Sequence, residues 1–367
     1  MQAQLNQSEY AALLKQKALI PDPAVELNWS GRGQHVEFGR YQPIPLEYIA
    51  PIGVSLTAKV DKVRCRRIIL ARKSMKCSRK LSLSDALVEA EHLHNLRHAH
   101  IVQLVGTYLQ HRDFAILLYP AADCDLSVFM SRSNWPQLPL AEDPLRMEGL
   151  PDHLSDFLPC LASALDFVHD NTTRHCDIKP SNILVKYSPT SLSKPYNVYL
   201  ADFGISQSFV SQDHSQTESS TGRTPRYCAP EVYEDLPYSR KADIFSLGCV
   251  FAEMYTVIAG RELDDFEEWR RGNGPNDYFH ANIPETRRWI AHQLSGVKRS
   301  LIGNTIRISI KLAGSSCILW RDIDSFPLLL EFMLERKADM RPTAKQVSEA
   351  VGLRDCCIAG PEAYVAG

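Results

Sequence analysis

Three polar side chains lie close together in one short stretch of this 367-residue chain. Asp177, Lys179 and Asn182 place an acid, a cation and a carboxamide within six positions, between two apolar segments. A loop between packed elements is where a rigid scaffold presents reactive groups, and such side chains serve acid–base and charge-stabilising chemistry. Surface loops also carry such residues by chance, so the interpretation depends on whether further motifs follow in order.

Four further motifs follow downstream, and the set resembles the protein kinases, whose catalytic loop reads H-R-D-x-K-x-x-N. The motifs are Ala-Asp-Phe-Gly at 201–204, Thr-Pro-Arg-Tyr-Cys-Ala-Pro-Glu at 224–231, Ala-Asp-Ile-Phe-Ser-Leu-Gly at 242–248 and Asp-Met-Arg-Pro-Thr at 339–343. The catalytic-loop lysine and the segment at 224–231 indicate the Ser/Thr class. The wording at 227–231 and 242–248 is most similar to that of fungal Ser/Thr protein kinases.

The resemblance implies a bilobal α+β fold, with a small, mainly β N-lobe carrying one key helix and a larger, mainly helical C-lobe. We expect the N-lobe at 46–119 and the C-lobe at 120–352, with a tail at 353–367. Residues 1–45, rich in Pro, Gly and polar side chains, are interpreted as an extension that packs loosely or not at all. Residues 297–321 have a β-leaning composition with no kinase counterpart; an insertion and a gene-model artefact both stay open.

The first strands of the N-lobe should carry the loop that covers the phosphates, G-x-G-x-x-G-x-V in the family. Here the first glycine is Gly53 and the valine is Val60, but Ser55 and Ala58 replace the other two glycines. Glycines let the backbone approach phosphate oxygens closely. Small replacements preserve the space but not the freedom, so nucleotide affinity is the property that the sequence predicts least firmly.

The third strand matches V-A-x-K and assigns Ala71 and Lys73 to the nucleotide site by resemblance. An amphipathic helix is predicted from about 83 to 96. Within it, Glu89 holds the family position that pairs with the strand lysine. Glu91 is the rival, but two positions along a helix it faces elsewhere, so we predict the Lys73–Glu89 pair.

The remaining nucleotide contacts are also implied by resemblance. Tyr119 and Ala121 lie at the hinge that recognises adenine, and Leu184 follows the catalytic loop in the same pocket. ATP and Mg²⁺ are the implied ligands, and protein substrates the implied partners.

The resemblance also assigns the catalytic roles. Asp202 and Asn182 would hold Mg²⁺ across the β- and γ-phosphate oxygens. Asp177 would align the substrate hydroxyl and accept its proton, and Lys179 would stabilise the γ-phosphoryl charge. Thr224 would hydrogen-bond the Asp177–Lys179 pair.

Two other functions compete with an active protein kinase. A pseudokinase, a nucleotide-binding or scaffold module, is favoured by the altered glycine loop and by Cys176, which replaces the arginine that precedes the catalytic Asp. Against it, the full set of charged residues is present, so we favour the active enzyme. A small-molecule kinase should lack the segment at 224–231. Without the arginine, the Ser/Thr-rich stretch at 211–221 fits a phosphorylation switch and a flexible polar loop equally well.

Two structural contacts are predicted in the large lobe. Asp243 should brace the backbone of the catalytic loop, and Glu231 should form a buried ion pair with Arg341.

The overall composition limits the partners and the cellular compartment that the sequence predicts. The net charge of −2 gives no electrostatic case for binding nucleic acid or an anionic membrane. No apolar run reaches the roughly 18–20 residues that span a bilayer, and no secretory signal is visible. Ten cysteines without a C-x-x-C pair indicate a reduced intracellular protein, cytoplasmic or nuclear. The oligomeric state stays open.

Metal binding and lipidation are not expected from the sequence. Four histidines at i, i+2 spacing do not share a helix face, and no acidic or cysteine partner joins them. They are His92, His94, His98 and His100. The adjacent Cys356 and Cys357 have no basic patch beside them, and we interpret them as part of an ordinary tail.

Overall fold

The fold is divided into two compact units. The computed structural model describes residues 8–22, 26–54, 58–79, 81–131, 149–188, 195–204, 206–208, 224–272, 274–293, 308–310, 318–320, 326–353 and 355–358. The first unit comprises the chain up to Arg97 and Val102–Ala122, and the second comprises His98–Ile101 and the chain from Asp123 onward.

The first unit is built on a six-stranded sheet with the strand order β1-β5-β6-β4-β3-β2. Its elements are α1 (Glu9–Gln16), β1 (His35–Phe38), β2 (Glu47–Val54), β3 (Ala58–Cys65), β4 (Ile68–Lys76), α2 (Leu83–Ala86), α3 (Val88–Asn95), β5 (Gln103–Gln110) and β6 (Asp113–Tyr119). The pair β1–β5 is parallel and the other pairs are antiparallel. The mainly β N-lobe predicted from the sequence is thus confirmed.

The predicted helix at 83–96 is present but divided. A capping box between Ser82 and Asp85 starts α2, and Leu87 separates it from α3. Reciprocal side-chain bonds of this kind satisfy the free N–H groups of a helix start. The buried face of α3 includes Glu89, Ala90 and Leu93.

The expectation that residues 1–45 pack loosely or not at all is wrong. Tyr10 and Leu14 of α1 are buried, and the Tyr10 hydroxyl lies 2.6 Å from Thr107 Oγ1 on β5. Trp29 packs against Phe38 and Tyr108 at ring-centroid distances of 6.2 and 6.1 Å. These residues complete the core at the β1 edge of the sheet, which the local pattern of Pro and Gly did not indicate.

The second unit is mainly helical. Its elements are β7 (Cys124–Asp125), α4 (Leu126–Met130), α5 (Leu150–Asp170), β8 (Thr173–Arg174), β9 (Ile183–Tyr187), β10 (Tyr196–Leu200), β11 (Gln207–Ser208), α6 (Pro230–Tyr233), α7 (Lys241–Ile258), α8 (Leu263–Arg271), α9 (Ile283–Arg288), β12 (Ile308–Ile310), β13 (Ile318–Trp320), α10 (Phe326–Met333), α11 (Ala344–Val351) and α12 (Asp355–Ile358). With the sheet of the first unit, this confirms the predicted α+β class.

Two helices form the centre of the second unit. Helix α7 is buried from Ala242 to Ile258, and α5 packs against α7, α11 and β10. A helix that is mainly apolar and buried on all sides belongs in the interior of a large domain. Among the described residues, no helix combines the length and apolar character needed to cross a membrane.

The unusual segment at 297–321 contains two short strands. β12 and β13 pair antiparallel, with Ile308 opposite Trp320, which agrees with the β-leaning composition. The remainder of that segment lies outside the described residues.

Candidate active site

In the first unit, a lysine and a glutamate form the predicted ion pair. Nζ of Lys73 on β4 lies 2.6 Å from Oε2 of Glu89 on α3, and their side chains are 18% and 5% exposed. The rival Glu91 instead pairs with Lys17, which follows α1, at 2.5 Å. The prediction that Glu89 rather than Glu91 pairs with Lys73 is confirmed.

Strand pairing places the predicted nucleotide residues of the first unit side by side. Gly53 on β2 pairs with Val60 on β3, and Val60 pairs with Lys73 on β4. A Cβ at Gly53 would meet no atom of the described residues within 4 Å, which leaves the backbone there open to them. Ala71 is buried on β4. Ser55 lies outside the described residues.

The remaining predicted nucleotide residues belong to different units. Tyr119 ends β6 and Ala121 is buried just after it, both in the first unit. Leu184 lies on β9 in the second unit, half-buried and paired with Asp125 of β7. Their contacts with a nucleotide stay a prediction.

In the second unit, one buried carboxylate fixes the backbone that leads into the catalytic loop. Asp243 of α7 accepts hydrogen bonds from the backbone N–H groups of His175 and Cys176, both at 2.9 Å. It also accepts one from His169 Nε2 at 2.9 Å. Burial alone would raise the pKa of Asp243, but these donors hold that pKa below its usual value. The predicted bracing role of Asp243 is confirmed.

Four of the predicted catalytic residues form one hydrogen-bond network, the Asp177 network. Thr224 Oγ1 donates to Asp177 Oδ1 at 2.9 Å and accepts from Lys179 Nζ at 2.7 Å. Lys179 Nζ lies 2.7 Å from Asp177 Oδ2. Asn182 Nδ2 donates to the backbone oxygen of Asp177 at 2.8 Å and to its Oδ2 at 2.9 Å. The Asp177 carboxylate is therefore held by Thr224, 47 residues away, and by Asn182, five residues away.

Asp202 is placed by the neighbouring backbone. The N–H of Ala201 donates to the carbonyl oxygen of Asn182 at 2.9 Å. The backbone φ of Asp202 is +64°, in the left-handed region that non-glycine residues seldom adopt. Such conformations persist where the surrounding structure determines them, frequently at functional sites.

Two histidines that the sequence analysis did not select support this geometry. His175 is fully buried, packs on Phe203 at 4.6 Å between ring centroids, and bonds through Nε2 to the Ala201 carbonyl oxygen at 3.0 Å. His169 is the partner of Asp243 described above. His175 belongs to the catalytic-loop motif and was recognisable there, whereas no motif marks His169 at the end of α5.

The segment that carries Thr224 is anchored by charged groups. Arg226 forms ion pairs at 3.0 Å with Glu267 and with Asp277. The Tyr227 hydroxyl donates to the buried Glu253 of α7, at 3.1 Å from Oε1. Burial raises the pKa of Glu253 above its usual value.

The predicted ion pair between Glu231 and Arg341 is also confirmed. Arg341 donates from Nη1 and Nη2 to the two carboxylate oxygens of Glu231, at 2.6 and 2.8 Å. The serines and threonines predicted as a possible phosphorylation switch at 211–221 lie outside the described residues.

The fold and this site agree with the family that the chain matches in sequence. The family described as protein kinase domain matches residues 47–351, and the chain belongs to that family. A serine/threonine-protein kinase, ULK3 of Homo sapiens, is 31% identical over 220 residues, covering 59% of this chain and 41% of that protein. A second, Nek3 of Oryza sativa subsp. japonica, is 31% identical over 282 residues, covering 76% of this chain and 42% of that protein.

The matched regions are less than half of these relatives, since the chain spans about two fifths of the length of each. The specific similarity to fungal kinases stays a prediction.

Proposed function

We propose that this chain is an ATP- and Mg²⁺-dependent protein kinase that transfers the γ-phosphoryl group to Ser or Thr hydroxyls of proteins. The Asp177 network is the observation that carries the proposal. It presents one carboxylate in a fixed orientation, with a lysine ammonium beside it and an amide that restrains it. Phosphoryl transfer depends mainly on such positioning and on charge neutralisation.

The residues that would hold the metal suit Mg²⁺ chemically. Asn182 donates hydrogen bonds to Asp177 through Nδ2, which leaves its Oδ1 as an oxygen ligand for a metal ion. Asp202 would add a carboxylate ligand. Mg²⁺ prefers oxygen ligands and is commonly bound through one or two carboxylates together with substrate phosphates. When bound, the ion would neutralise charge on the β- and γ-phosphate oxygens.

The chain's own groups would carry out the remaining steps. Asp177 would orient the acceptor hydroxyl and take its proton as the hydroxyl oxygen bonds to the γ-phosphorus and the bond to the leaving ADP breaks. Lys179 would offset the negative charge on the transferred group. The ammonium of Lys73, held by Glu89, would contact the α- and β-phosphates.

Phosphate transfer to a generic basic protein is the direct test. The purified full chain is incubated with labelled ATP and Mg²⁺, and the Asp202→Asn variant serves as the matched control because it removes one charge with little change in size. We expect label transfer by the wild type and a loss of at least about 100-fold in the variant, because a bound metal ion contributes several kcal/mol of charge stabilisation.

Two results would reject the proposal. Equal transfer by both proteins would indicate a contaminating kinase. Failure of the folded wild type to transfer label to any of a panel of basic, acidic and peptide acceptors would favour the pseudokinase alternative. A rise in Tm with ATP would then show that a catalytically inactive chain still binds nucleotide.

A further inference from the structure

Three cysteines and a histidine from distant parts of the chain converge in the second unit. They are Cys160 of α5, Cys356 and Cys357 of α12, and His100, which precedes β5; we call them the His100 cluster. One candidate ligand atom from each lies within 4.8 Å of every other. Cys160 and His100 are 5% and 2% exposed, and the other two are half-buried.

The sulfur positions match those of a tetrahedral zinc site. Cys160 Sγ lies 3.6 Å from Cys356 Sγ and 3.9 Å from Cys357 Sγ. Two thiolates bound to one Zn²⁺ at 2.3 Å, with a tetrahedral angle between them, are about 3.8 Å apart. These two sulfur–sulfur distances therefore already agree with one shared Zn²⁺, and the other ligand atoms of the cluster lie within 4.8 Å of one another.

The histidine is held in the tautomer that a metal ligand needs. His100 Nδ1 lies 3.0 Å from the backbone oxygen of Val198. A carbonyl oxygen only accepts, so Nδ1 carries the proton and Nε2 of the neutral ring carries the lone pair. A ligating histidine commonly donates its second ring N–H to a backbone carbonyl in this way.

The Nε2 atom itself has no hydrogen-bond partner among the described residues, although it is buried. Leaving a buried polar atom unpaired costs about 1–3 kcal/mol. A small pocket is lined by His100, Cys160 and Cys356, among others. A bound cation would satisfy this atom.

We propose that His100, Cys160, Cys356 and Cys357 bind one Zn²⁺ ion as a Cys₃His site. A soft thiolate set completed by one imidazole is typical of zinc. All four positions are filled by the protein, so the site is structural rather than catalytic. The ion would fix the short helix α12 to α5 and to the segment around His100.

From the sequence no metal is expected at His100, because the i, i+2 spacing of the histidines does not place them on one helix face and no acidic or cysteine partner joins them. Cys356 is 196 residues from Cys160, and no C-x-x-C spacing marks either end. Only the packing of α12 against α5 brings the thiols together.

The metal content of the full chain tests the proposal. The protein is produced with zinc in the medium, purified with a non-thiol reductant and without chelator, and analysed by elemental mass spectrometry. We expect roughly one Zn²⁺ per chain, as a four-ligand structural site requires. The double variant Cys356→Ser/Cys357→Ser should lose the ion, whereas Cys77→Ser, which removes a half-exposed thiol of the first unit, should retain it.

Cobalt substitution tests the ligand set itself. Co²⁺ added to the metal-free protein should give intense thiolate-to-metal charge-transfer absorption and visible bands of tetrahedral form. His100→Asn should weaken binding at least about 10-fold, since one of four ligands is lost. Circular dichroism of each variant identifies any that fails to fold; the cysteines of α12 lie outside the buried core, so that double variant is the decisive one.

Three outcomes would overturn the proposal. The first is zinc at the same level in the wild type and in the folded double variant. The second is a cobalt spectrum without thiolate charge transfer. The third is a disulfide between Cys160 and Cys356 or Cys357, found as a linked peptide after digestion of the wild type under the reducing conditions used, with the metal absent.

Discussion

At the residue scale, the Thr224 hydroxyl is the group that joins Asp177 and Lys179. Removing it with Thr224→Val should lower kcat by about 10–100-fold, because an unsatisfied polar group costs about 1–3 kcal/mol and each 1.36 kcal/mol changes a rate tenfold. Thr224→Ser preserves the hydroxyl and should stay within a few-fold of the wild type. Initial rates of peptide phosphorylation provide the measurement. An equal loss in both variants would show that the hydroxyl alone does not account for the effect.

His35 should make the stability of the protein depend on pH. Burial, reinforced by the charge of His94, lowers the pKa of His35 to about 4 from its ordinary value of 6.5. Between these two values the unfolded chain binds a proton that the folded chain does not. Stability is therefore lost as the pH falls from about 6.5 to about 4, by about 3 kcal/mol from this residue.

Denaturant unfolding of the wild type and of His35→Asn, from pH 7 to pH 4, would test this. The asparagine retains a polar group near Thr107 Oγ1, to which His35 Nδ1 is bonded at 2.7 Å. The wild type should lose about 3 kcal/mol more than the variant over this range. Parallel stability curves would contradict the assignment.

Residues with a role in a short linear motif could be predicted from the sequence. Asp177, Lys179 and Asn182 lie within six positions, and the family position within the predicted helix separated Glu89 from Glu91. His169 could not be found in this way. Its role depends on a contact with Asp243, 74 residues away, which only the packing of α5 against α7 creates.

At the scale of elements, the segment before β2 contributes part of the core of the first unit. Trp29 is 6% exposed, and its Nε1 donates to the Gln34 backbone oxygen at 2.8 Å. Trp29→Ala should destabilise the fold by about 3–5 kcal/mol, as for other buried aromatic truncations. Tyr41→Ala, at a 90% exposed aromatic of the same segment, should change stability by less than about 0.5 kcal/mol.

Chemical denaturation followed by tryptophan-independent circular dichroism would compare these two variants. If Trp29→Ala were as stable as Tyr41→Ala, the segment at 1–45 would be the loose extension that its composition indicated. A side chain introduced by Gly106→Ala would then also be tolerated. In the structure, a Cβ at this position meets the Trp29 ring and the Gln34 carbonyl oxygen.

The ion pair between α6 and the loop before α11 should show how buried charges depend on each other. Arg341 is fully buried and uses all its donors, on Glu231 and on the backbone oxygens of Glu335, Arg336 and Lys241. Arg341→Met should cost about 3–5 kcal/mol because it leaves the Glu231 carboxylate without its partner. The free energy of unfolding in urea is the measurement.

The matched variant removes both charges. Glu231→Leu/Arg341→Met should be destabilised less than the sum of its two single variants, because no unpaired charge is then left. Additive effects in this cycle would mean that the two groups do not interact.

Elements with a strong apolar periodicity or clear start and stop residues could be predicted from the sequence. Elements that depend on partners far away in the chain could not. The amphipathic helix predicted at 83–96 is present as α2 and α3, and the predicted first strands of the N-lobe are β2, β3 and β4. In contrast, β1 has only four residues and is a strand because it pairs with β5. A strand of this length carries too little alternation to be recognised by itself.

At the scale of the whole molecule, the order of the motifs was sufficient to predict the family and the division into a mainly β and a mainly helical unit. The order of the motifs could not predict the contacts between the remote cysteines and His100, because these side chains share no local sequence pattern. The composition of the unusual segment at 297–321 indicated β structure. It did not predict the pairing of β12 with β13.

Ligand binding should be measurable as stability of the complete chain. A non-hydrolysable ATP analogue with Mg²⁺, at about 100 times its Kd, should stabilise the folded state by about 2.7 kcal/mol and raise Tm. Lys73→Met should reduce that rise at the same ligand concentration, since it removes the ammonium assigned to the phosphates. The exposed Lys337→Met serves as the matched control and should behave as the wild type.

The effect of Mg²⁺ on this ligand-induced rise in Tm separates the role proposed for Lys73 from that proposed for Asp202. Omitting Mg²⁺ should shrink the stabilisation in the wild type and in Lys337→Met, whereas in Asp202→Asn the shift should be nearly the same with and without the ion, because the carboxylate assigned to it is gone. Differential scanning fluorimetry across ligand concentrations provides the affinities. A Mg²⁺ effect of equal size in Asp202→Asn would remove Asp202 from the metal site while leaving the assignment of Lys73 to be decided by its own variant.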